Sequence, residues 1–525
     1  MACLGLIGPV RADEKADSLY EQGMALQRQN RTPEAIAVYR QALSLNPNHA
    51  RSHYEIGWSY WTLRQWDQVI SHWERARYLK APYPELPDFL RTARQNAAGT
   101  GEPVVRVPIG TSRASHNISP PDSHNGKTSG VRLTLIARFQ HYNPTPTDPA
   151  DHYDPYIFSP KSVQFSADGR KAYVNALEGY ATVIYDAQNL KQIGRVVHRF
   201  DARHEGLFVS SPSGPPWARY LPDRTPAQPN HFSGKPVESA LSHNGRYLWV
   251  SYYRRDFDQF GVLPSAVAVI DTGTDKIVRI LDTGPIPKYV TASPDGNWVA
   301  ITHWGDNTVG LIDTSGQKPE TYRRAMLLEI GQPPNLSAIA NTDRDHQCGL
   351  CLRGTVFTPD SQHLLVGRMG GDGGVSVVDL KQRKVIGTVQ GMRPTPRHLA
   401  LSPDGDQLYM SSSLSGYVSR YHTQEFIAAA HAKSVLKPLQ EGESGPATRT
   451  IALSPNGRYV FAAANLESRL VVLDAESLKV LTWIPADSYP VGLAVTPDGK
   501  QVWVTSQGRD RRGGNSLSIY LIEDL

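Results

Sequence analysis

The stretch LALSPDGDQLYM, residues 399–410, decides the fold. It reads as an apolar strand, a tight turn at Ser402-Pro403-Asp404-Gly405 and a second alternating strand. Asp-Gly or Asn-Gly between apolar runs is a strong hairpin signal, because glycine takes the left-handed backbone such a turn needs. Six more copies follow the same pattern: SVQFSADGRKAYV at 162–174, SALSHNGRYLWV at 239–250, VTASPDGNWVAI at 290–301, TVFTPDSQHLLV at 355–366, IALSPNGRYVFA at 451–462 and LAVTPDGKQVWV at 493–504. Each is followed by a further short strand, such as VAVID at 267–271 or LVVLD at 470–474. The turn positions Gly169, Gly245, Gly296, Ser361, Gly405, Gly457 and Gly499 lie 76, 51, 65, 44, 52 and 42 residues apart. A unit of 42–44 residues, lengthened by insertions, is one four-stranded blade. Seven copies predict a WD40-like, seven-bladed β-propeller.

The last copy stops after its third strand, LSIYL at 517–521, while an unassigned strand, VRLTLIARF at 131–139, precedes the first. Pairing the two would complete the final blade and remove an exposed edge, so this closure is predicted. Further toward the N-terminus a second period appears. Gly23, Ala35, Tyr39, Ala42 and Pro47 return 34 residues later as Gly57, Val69, Trp73 and Ala76, with Pro82 one place late. This 34-residue period resembles the tetratricopeptide repeat (TPR), in which small residues let paired helices approach and aromatics fill the space between them. Glu85–Ala97 reads as a capping helix.

The predicted organisation is α plus all-β: a remnant of a secretory signal at 1–12, TPR helical hairpins at 14–97, a Gly/Ser/Pro-rich linker at 98–130 and the propeller at 131–525. The signal rests on a brief apolar run ending in the small-x-small pattern Val10-Arg11-Ala12, and it places the protein in the periplasm or outside the cell. Net charge is +5 without a Lys/Arg-rich run, which argues against nucleic-acid binding. No stretch approaches the ~20 apolar residues of a transmembrane helix.

The repeat SPDG-x₃-hhV…VxVID resembles YVTN-type propellers, the YncE-like and surface-layer group, and more distantly the haem-d1-binding propeller of cytochrome cd1 nitrite reductases. The resemblance implies the fold. It fixes no activity, because such propellers include binding proteins, lactonases and redox enzymes.

Candidate site residues follow from aligning the blades. Five residues before each turn's Ser or Thr stand Lys161, Val237, Lys288, Arg353, Arg397, Arg449 and Val491, five of seven basic. They predict a broken cationic ring at the channel mouth that takes a small anion, or is offset by Glu238 and by Asp256, Asp258, Asp306 and Asp372 in nearby loops. At the ends of the second strands, bulky and polar residues crowd blades two to four beneath the longest insertions, Tyr252 and Tyr253, His303 and Trp304, Arg368 and Met369, with His398 of blade five nearby. Cys348-Gly349-Leu350-Cys351 reads as a loop-stapling disulfide, a redox pair, or part of a copper or zinc site with His346 and His303. No cofactor is expected from the motifs; a metal or a propionate-bearing tetrapyrrole is the alternative. In the helical repeats, Tyr20, Tyr54, Trp58 and Trp61, with Arg64 nearby, are candidates for holding a protein partner. The function expected is a cell-envelope binding or scaffold protein, the alternative an enzyme or cofactor protein with a metal, haem-d1-type or lactonase-like site above blades two to four. No residue is assigned a catalytic role.

Overall fold

The structure is a computed structural model, and it describes residues 12–28, 31–63, 65–79, 81, 83, 86–97, 130–208, 219–220, 226–332, 334–508 and 514–524. The signal-like residues 1–11, Arg64, Pro82 and nearly all of the linker lie outside the described residues. The chain divides into two compact units, one helical and one built of strands.

In the helical unit, α1 (Ala12–Arg28) pairs with α2 (Thr32–Leu45), α3 (Ala50–Thr62) with α4 (Trp66–Tyr78), and α5 (Leu86–Ala97) packs on α4. The 34-residue period has a direct cause. Gly23 lies against the ring of Tyr39, and Gly57 lies against the indole of Trp73, so a side chain at either glycine would meet an aromatic face. Trp73 is fully buried and its Nε1 donates to the Tyr54 carbonyl at 2.9 Å.

The strand unit has seven sheets, each with a four-stranded ladder, and the sheets follow one another in chain order. Their inner strands are Pro160–Phe165, Phe232–Ser242, Pro287–Ala292, Leu352–Phe357, Pro396–Leu401, Thr448–Leu453 and Pro490–Val495, for blades one to seven. Each inner strand neighbours the next, and the seventh neighbours the first. The ring is closed as predicted: Val131–Gln140 runs antiparallel to Ser516–Asp524, from Val131 opposite Asp524 to Gln140 opposite Ser516. Arg132 reinforces the seam with two hydrogen bonds to Glu523, at 3.0 and 3.1 Å. Two extra strand segments, Asp151–Tyr153 and Arg199–Phe200, extend blades seven and two. The short helix α6 (Thr423–Ala432), inserted in blade five, covers the outer strand of blade four, Lys384–Val389, and protects that edge.

The repeated turn also explains its own sequence. In blade five the Ser402 hydroxyl receives the Gln407 amide at 2.9 Å, and Gly405 is left-handed at φ 80°. The turn glycine then packs on the turn proline of the preceding blade: Gly405 on Pro359, Gly457 on Pro403, Gly499 on Pro455 and, across the closure, Gly169 on Pro497. Proline and glycine in the repeat are thus two halves of one inter-blade contact.

Candidate functional site: a cationic ring at the channel mouth

The backbone singles out the ring position in every blade. Each inner strand carries a register shift there: between Pro160 and Val163, Pro236 and Ser239, Pro287 and Tyr289, Leu352 and Thr355, Pro396 and His398, Thr448 and Ile451, and Pro490 and Gly492. A bulge inserts an unpaired residue and re-aims its side chain, so all seven blades use the same device. In six of them the strand is entered through a left-handed residue two before the ring position: Ser159, Ile286, Cys351, Thr395, Ala447 and Tyr489. Such φ values are costly outside glycine and persist only where the surroundings impose them. Hydroxyls of adjacent blades then grip the ring carbonyls. Ser411 donates to Arg449 O at 2.7 Å, Thr450 to Val491 O at 2.8 Å and Thr505 to Lys161 O at 3.1 Å.

The five cations act on one another electrostatically. Lys161 feels Arg449, Arg353, Lys288 and Arg397. Burial, and then these neighbours, hold its ammonium well below the ordinary lysine range. Arg397 is depressed for the same reasons, burial first and then Arg449 and Arg353. One acid from the sequence reading stands among them. The Glu238 carboxylate, 19 % exposed, lies 3.9 Å from Arg353 Nη2. Burial raises its pKa although Arg353, Lys161, Arg397 and Arg449 all pull it down.

The other acids expected to neutralise the ring do not reach it. Asp258 accepts the amides of Gly261, Val262 and Leu263. Asp306 is buried between Tyr220 and Thr308, its pKa raised by burial to about 6. Asp372 acts on Arg368, and nothing places Asp256 at the ring. The second carboxylate is Asp345 instead, whose Oδ1 lies 2.8 Å from Lys288 Nζ. Lys288 also sits 4.2 Å from the Tyr253 ring centroid and 5.1 Å from that of Trp304, and Trp304 Nε1 donates to Asp345 O at 3.2 Å. Burial lowers Lys288 to about 8, with Asp345 resisting.

The remaining four cations are weakly satisfied. Lys161 Nζ has Gln507 Oε1 at 3.5 Å, Arg397 Nη1 has the Met369 sulfur at 3.7 Å and Arg449 lies over Tyr489 at 5.3 Å. Among the described residues no carboxylate is within 3.5 Å of these three or of Arg353. One residue inside the ring begins a cavity of about 430 Å³, lined by Ser162, Glu238, Tyr289, His398, Thr450 and Gly492 and continuing along the channel wall. The Tyr289 hydroxyl lies 2.9 Å from His398 Nε2, while His398 Nδ1 has no hydrogen-bond partner among the described residues. Burial, then Arg353 and Arg397, lowers His398 to about 3, so it is neutral. Tyr289 and Tyr489 escaped the sequence reading. Alignment held the signal: Tyr289 is blade three's counterpart of His398, and Tyr489 is the left-handed residue preceding its blade's ring position.

Other candidates sit elsewhere. His303 is buried with both ring nitrogens engaged, Nδ1 with Thr308 Oγ1 at 2.7 Å and Nε2 with the Gly284 amide at 3.1 Å. Arg368 turns to Thr388 on the outer strand of its own blade, at 3.1 Å, and not into the ring. Cys348 and Cys351 form a disulfide, which removes both thiolates from the metal set with His346 and His303. His346 bonds Asp343 at 3.0 Å, and among the described residues no group of three or more His, Cys, Asp or Glu is placed to hold a metal. In the helical unit, Tyr20, Tyr54 and Trp58 are buried and Trp61 is half-buried. Tyr54 stacks on Tyr83 at 3.6 Å, and Trp58 and Trp61 both pack on Trp73.

A family model described as lactonase, seven-bladed β-propeller, matches residues 225–513. The chain belongs to this family. A TPR-repeat model matches residues 23–63. Among curated proteins, Antigen Lp49 of Leptospira interrogans is 23 % identical over 290 residues, 51 % of this chain and 54 % of that one. Dihydro-heme d1 dehydrogenase of Pseudomonas aeruginosa is 30 % identical over 130 residues, 25 % of this chain and 24 % of that one. The chain thus spans about half the length of the first relative and a quarter of the second. Among solved structures, Kuenenia stuttgartiensis hydrazine synthase aligns at TM-score 0.48 and 16 % identity, covering 69 % of this chain and 95 % of that one. The Cps50 (Swd1) β-propeller domain of Myceliophteria thermophila aligns at 0.49 and 14 %, covering 70 % and 97 %.

Proposed function

We propose that this member of the lactonase propeller family is a binding protein of the cell envelope whose propeller holds a small polyanion at the cationic ring, while its TPR unit engages a protein partner. The observation that carries the reading is the set of four cations, Lys161, Arg353, Arg397 and Arg449, that converge at the channel mouth without a carboxylate at hydrogen-bond distance. Crowded like charges destabilise one another, and an anion relieves that cost while gaining charge-assisted hydrogen bonds. Guanidinium forks suit carboxylate and phosphate groups in particular. The Cys348–Cys351 disulfide supports an oxidising compartment, and the TPR match supports a protein partner. Calorimetry with tricarballylate and with inorganic phosphate at low salt tests the ring. Binding should weaken at least tenfold in Arg397→Ala and Lys161→Ala, and should fall with added salt. Equal affinity in wild type and both variants would show that the ring is structural.

A second reading follows from the relative named dihydro-heme d1 dehydrogenase: the polyanion is a carboxylate-bearing tetrapyrrole. The ring fits its carboxylates, and His398 keeps one ring nitrogen unpaired beside the cavity. Such a group would supply redox chemistry, and Lys161, Arg397 and Arg449 would orient its carboxylates. Visible absorption that co-purifies with the wild type and is lost in Arg397→Ala would support it; a colourless protein that binds tricarballylate would remove it.

A further inference from the structure

Glu238 is an unusual component of an anion site. It lines the channel cavity, its carboxylate acted on by four cations, yet among the described residues that carboxylate accepts no hydrogen bond. The nearest cation nitrogen is Arg353 Nη2 at 3.9 Å. A carboxylate that served only to neutralise the ring would accept guanidinium hydrogen bonds directly, since bidentate contact is the strongest arrangement those two groups form. Lys288 and Asp345 show a direct contact between cation and carboxylate on the same rim, at 2.8 Å. Glu238 therefore keeps its lone pairs for something else. It is aligned with Ser162, Tyr289, His398 and Thr450, one residue inside the ring on their own blades. Its backbone is fixed, with its carbonyl accepting from Ser251 Oγ at 3.3 Å.

The cations are also dispersed. Lys161, Arg353, Arg397 and Arg449 come from four different blades, three of them adjacent (four, five and six) and the other just beyond blade seven, so they line an arc of the channel mouth as separate contact points. Dispersed forks match several separate carboxylates better than one compact tetrahedral group. A ligand seated on them would bring its own centre to Glu238, which accepts hydrogen bonds and repels bare charge. We infer that the ring takes a polycarboxylate bearing a hydroxyl donor, with the carboxylates on Lys161, Arg353, Arg397 and Arg449 and the hydroxyl donating to Glu238. This rests on the anion-site reading and makes it specific. A site built around a hydroxyl discriminates strongly against an analogue that lacks one, because its own polar group is then left unpaired.

Citrate and tricarballylate test the point, since they carry the same three carboxylates and differ by one hydroxyl. Titrated calorimetrically into the full-length protein at low salt, citrate should bind at least tenfold more tightly. In Glu238→Ala the preference should shrink to within about twofold, because no side-chain acceptor remains for the hydroxyl while the loss of the repelling charge acts on both acids alike. Equal affinity of the two acids for the wild type overturns the hydroxyl contact and leaves the anion site standing. A preference for citrate that persists unchanged in Glu238→Ala assigns the donor to another acceptor and also overturns it. If neither acid nor phosphate binds the wild type, the anion reading falls with it. The wild-type comparison needs no variant, so a folding defect in Glu238→Ala does not decide the outcome.

Discussion

The helical unit and the channel mouth each repeat one residue type at one position, and they use it in opposite ways. In the helices the repeated aromatics Tyr39 and Trp73 are consumed by packing: each faces the glycine of its own repeat, and each places its polar tip on a partner, Gln27 Oε1 at 2.8 Å and Tyr54 O at 2.9 Å. At the channel mouth the repeated cations hold their donors near weak partners, an amide oxygen at 3.5 Å and a thioether at 3.7 Å. Repetition by itself marks architecture. Repetition with unspent hydrogen-bonding capacity marks a site, because folding has carried the cost of gathering the groups without using them.

The largest expected effect lies on the architectural side. Trp73→Ala removes a fully buried indole and should cost the helical unit about 3–5 kcal/mol, read as a lowered midpoint of the far-ultraviolet transition in urea; a loss below 1 kcal/mol would break the contrast. Next is acid. His72 faces His53, with Nδ1 atoms 3.0 Å apart, and burial, then His53 and Arg40, lower His72 to about 4. The unfolded chain takes up that proton near pH 6.5, so the helices should lose about 2 kcal/mol as pH falls from 6.5 to 4, after discounting for partial exposure. His72→Phe should flatten that slope.

The ring should respond in the opposite sense to truncation. Arg397→Met removes one of the mutually repelling cations and should stabilise the ligand-free propeller by up to about 1 kcal/mol, seen as a higher melting temperature, while weakening anion binding. A destabilised Arg397→Met protein would place this side chain with the architecture. The smallest effect is alkaline. Lys288 carries its charge below about pH 8 and loses it above, so affinity for tricarballylate should fall a few-fold between pH 7 and 9, and Lys288→Arg should abolish that change.

Much of this was legible because it is periodic. The turn motif counts the blades, the missing outer strand beside LSIYL calls for VRLTLIARF, and one alignment column collects Lys161, Lys288, Arg353, Arg397 and Arg449. What periodicity does not carry is direction. Arg368 occupies the same kind of strand end as His303, yet its guanidinium runs along its own blade to Thr388. Asp345 belongs to an insertion, outside any repeat register, and reaches Lys288 from 57 residues away. The bulge that aims each ring residue does leave a mark, a proline just before the ring position at Pro160, Pro236, Pro287, Pro396 and Pro490, but a proline alone reads as a strand end and does not give the direction of the next side chain.

The seam joining Val131–Gln140 to Ser516–Asp524 ties the start of the propeller to its end; Arg132 and Glu523, hydrogen-bonded across it, are separated by 391 positions. Among the described residues no ladder closes a longer loop, so its formation should be a late event in folding. The seam completes blade seven, whose inner strand Pro490–Val495 flanks the first blade, the one that carries Lys161. The cationic ring is therefore a product of circularity: Lys288, Arg353, Arg397 and Arg449 stand on blades three to six, Lys161 on blade one, and a strand that binds nothing itself completes the blade that joins the two groups.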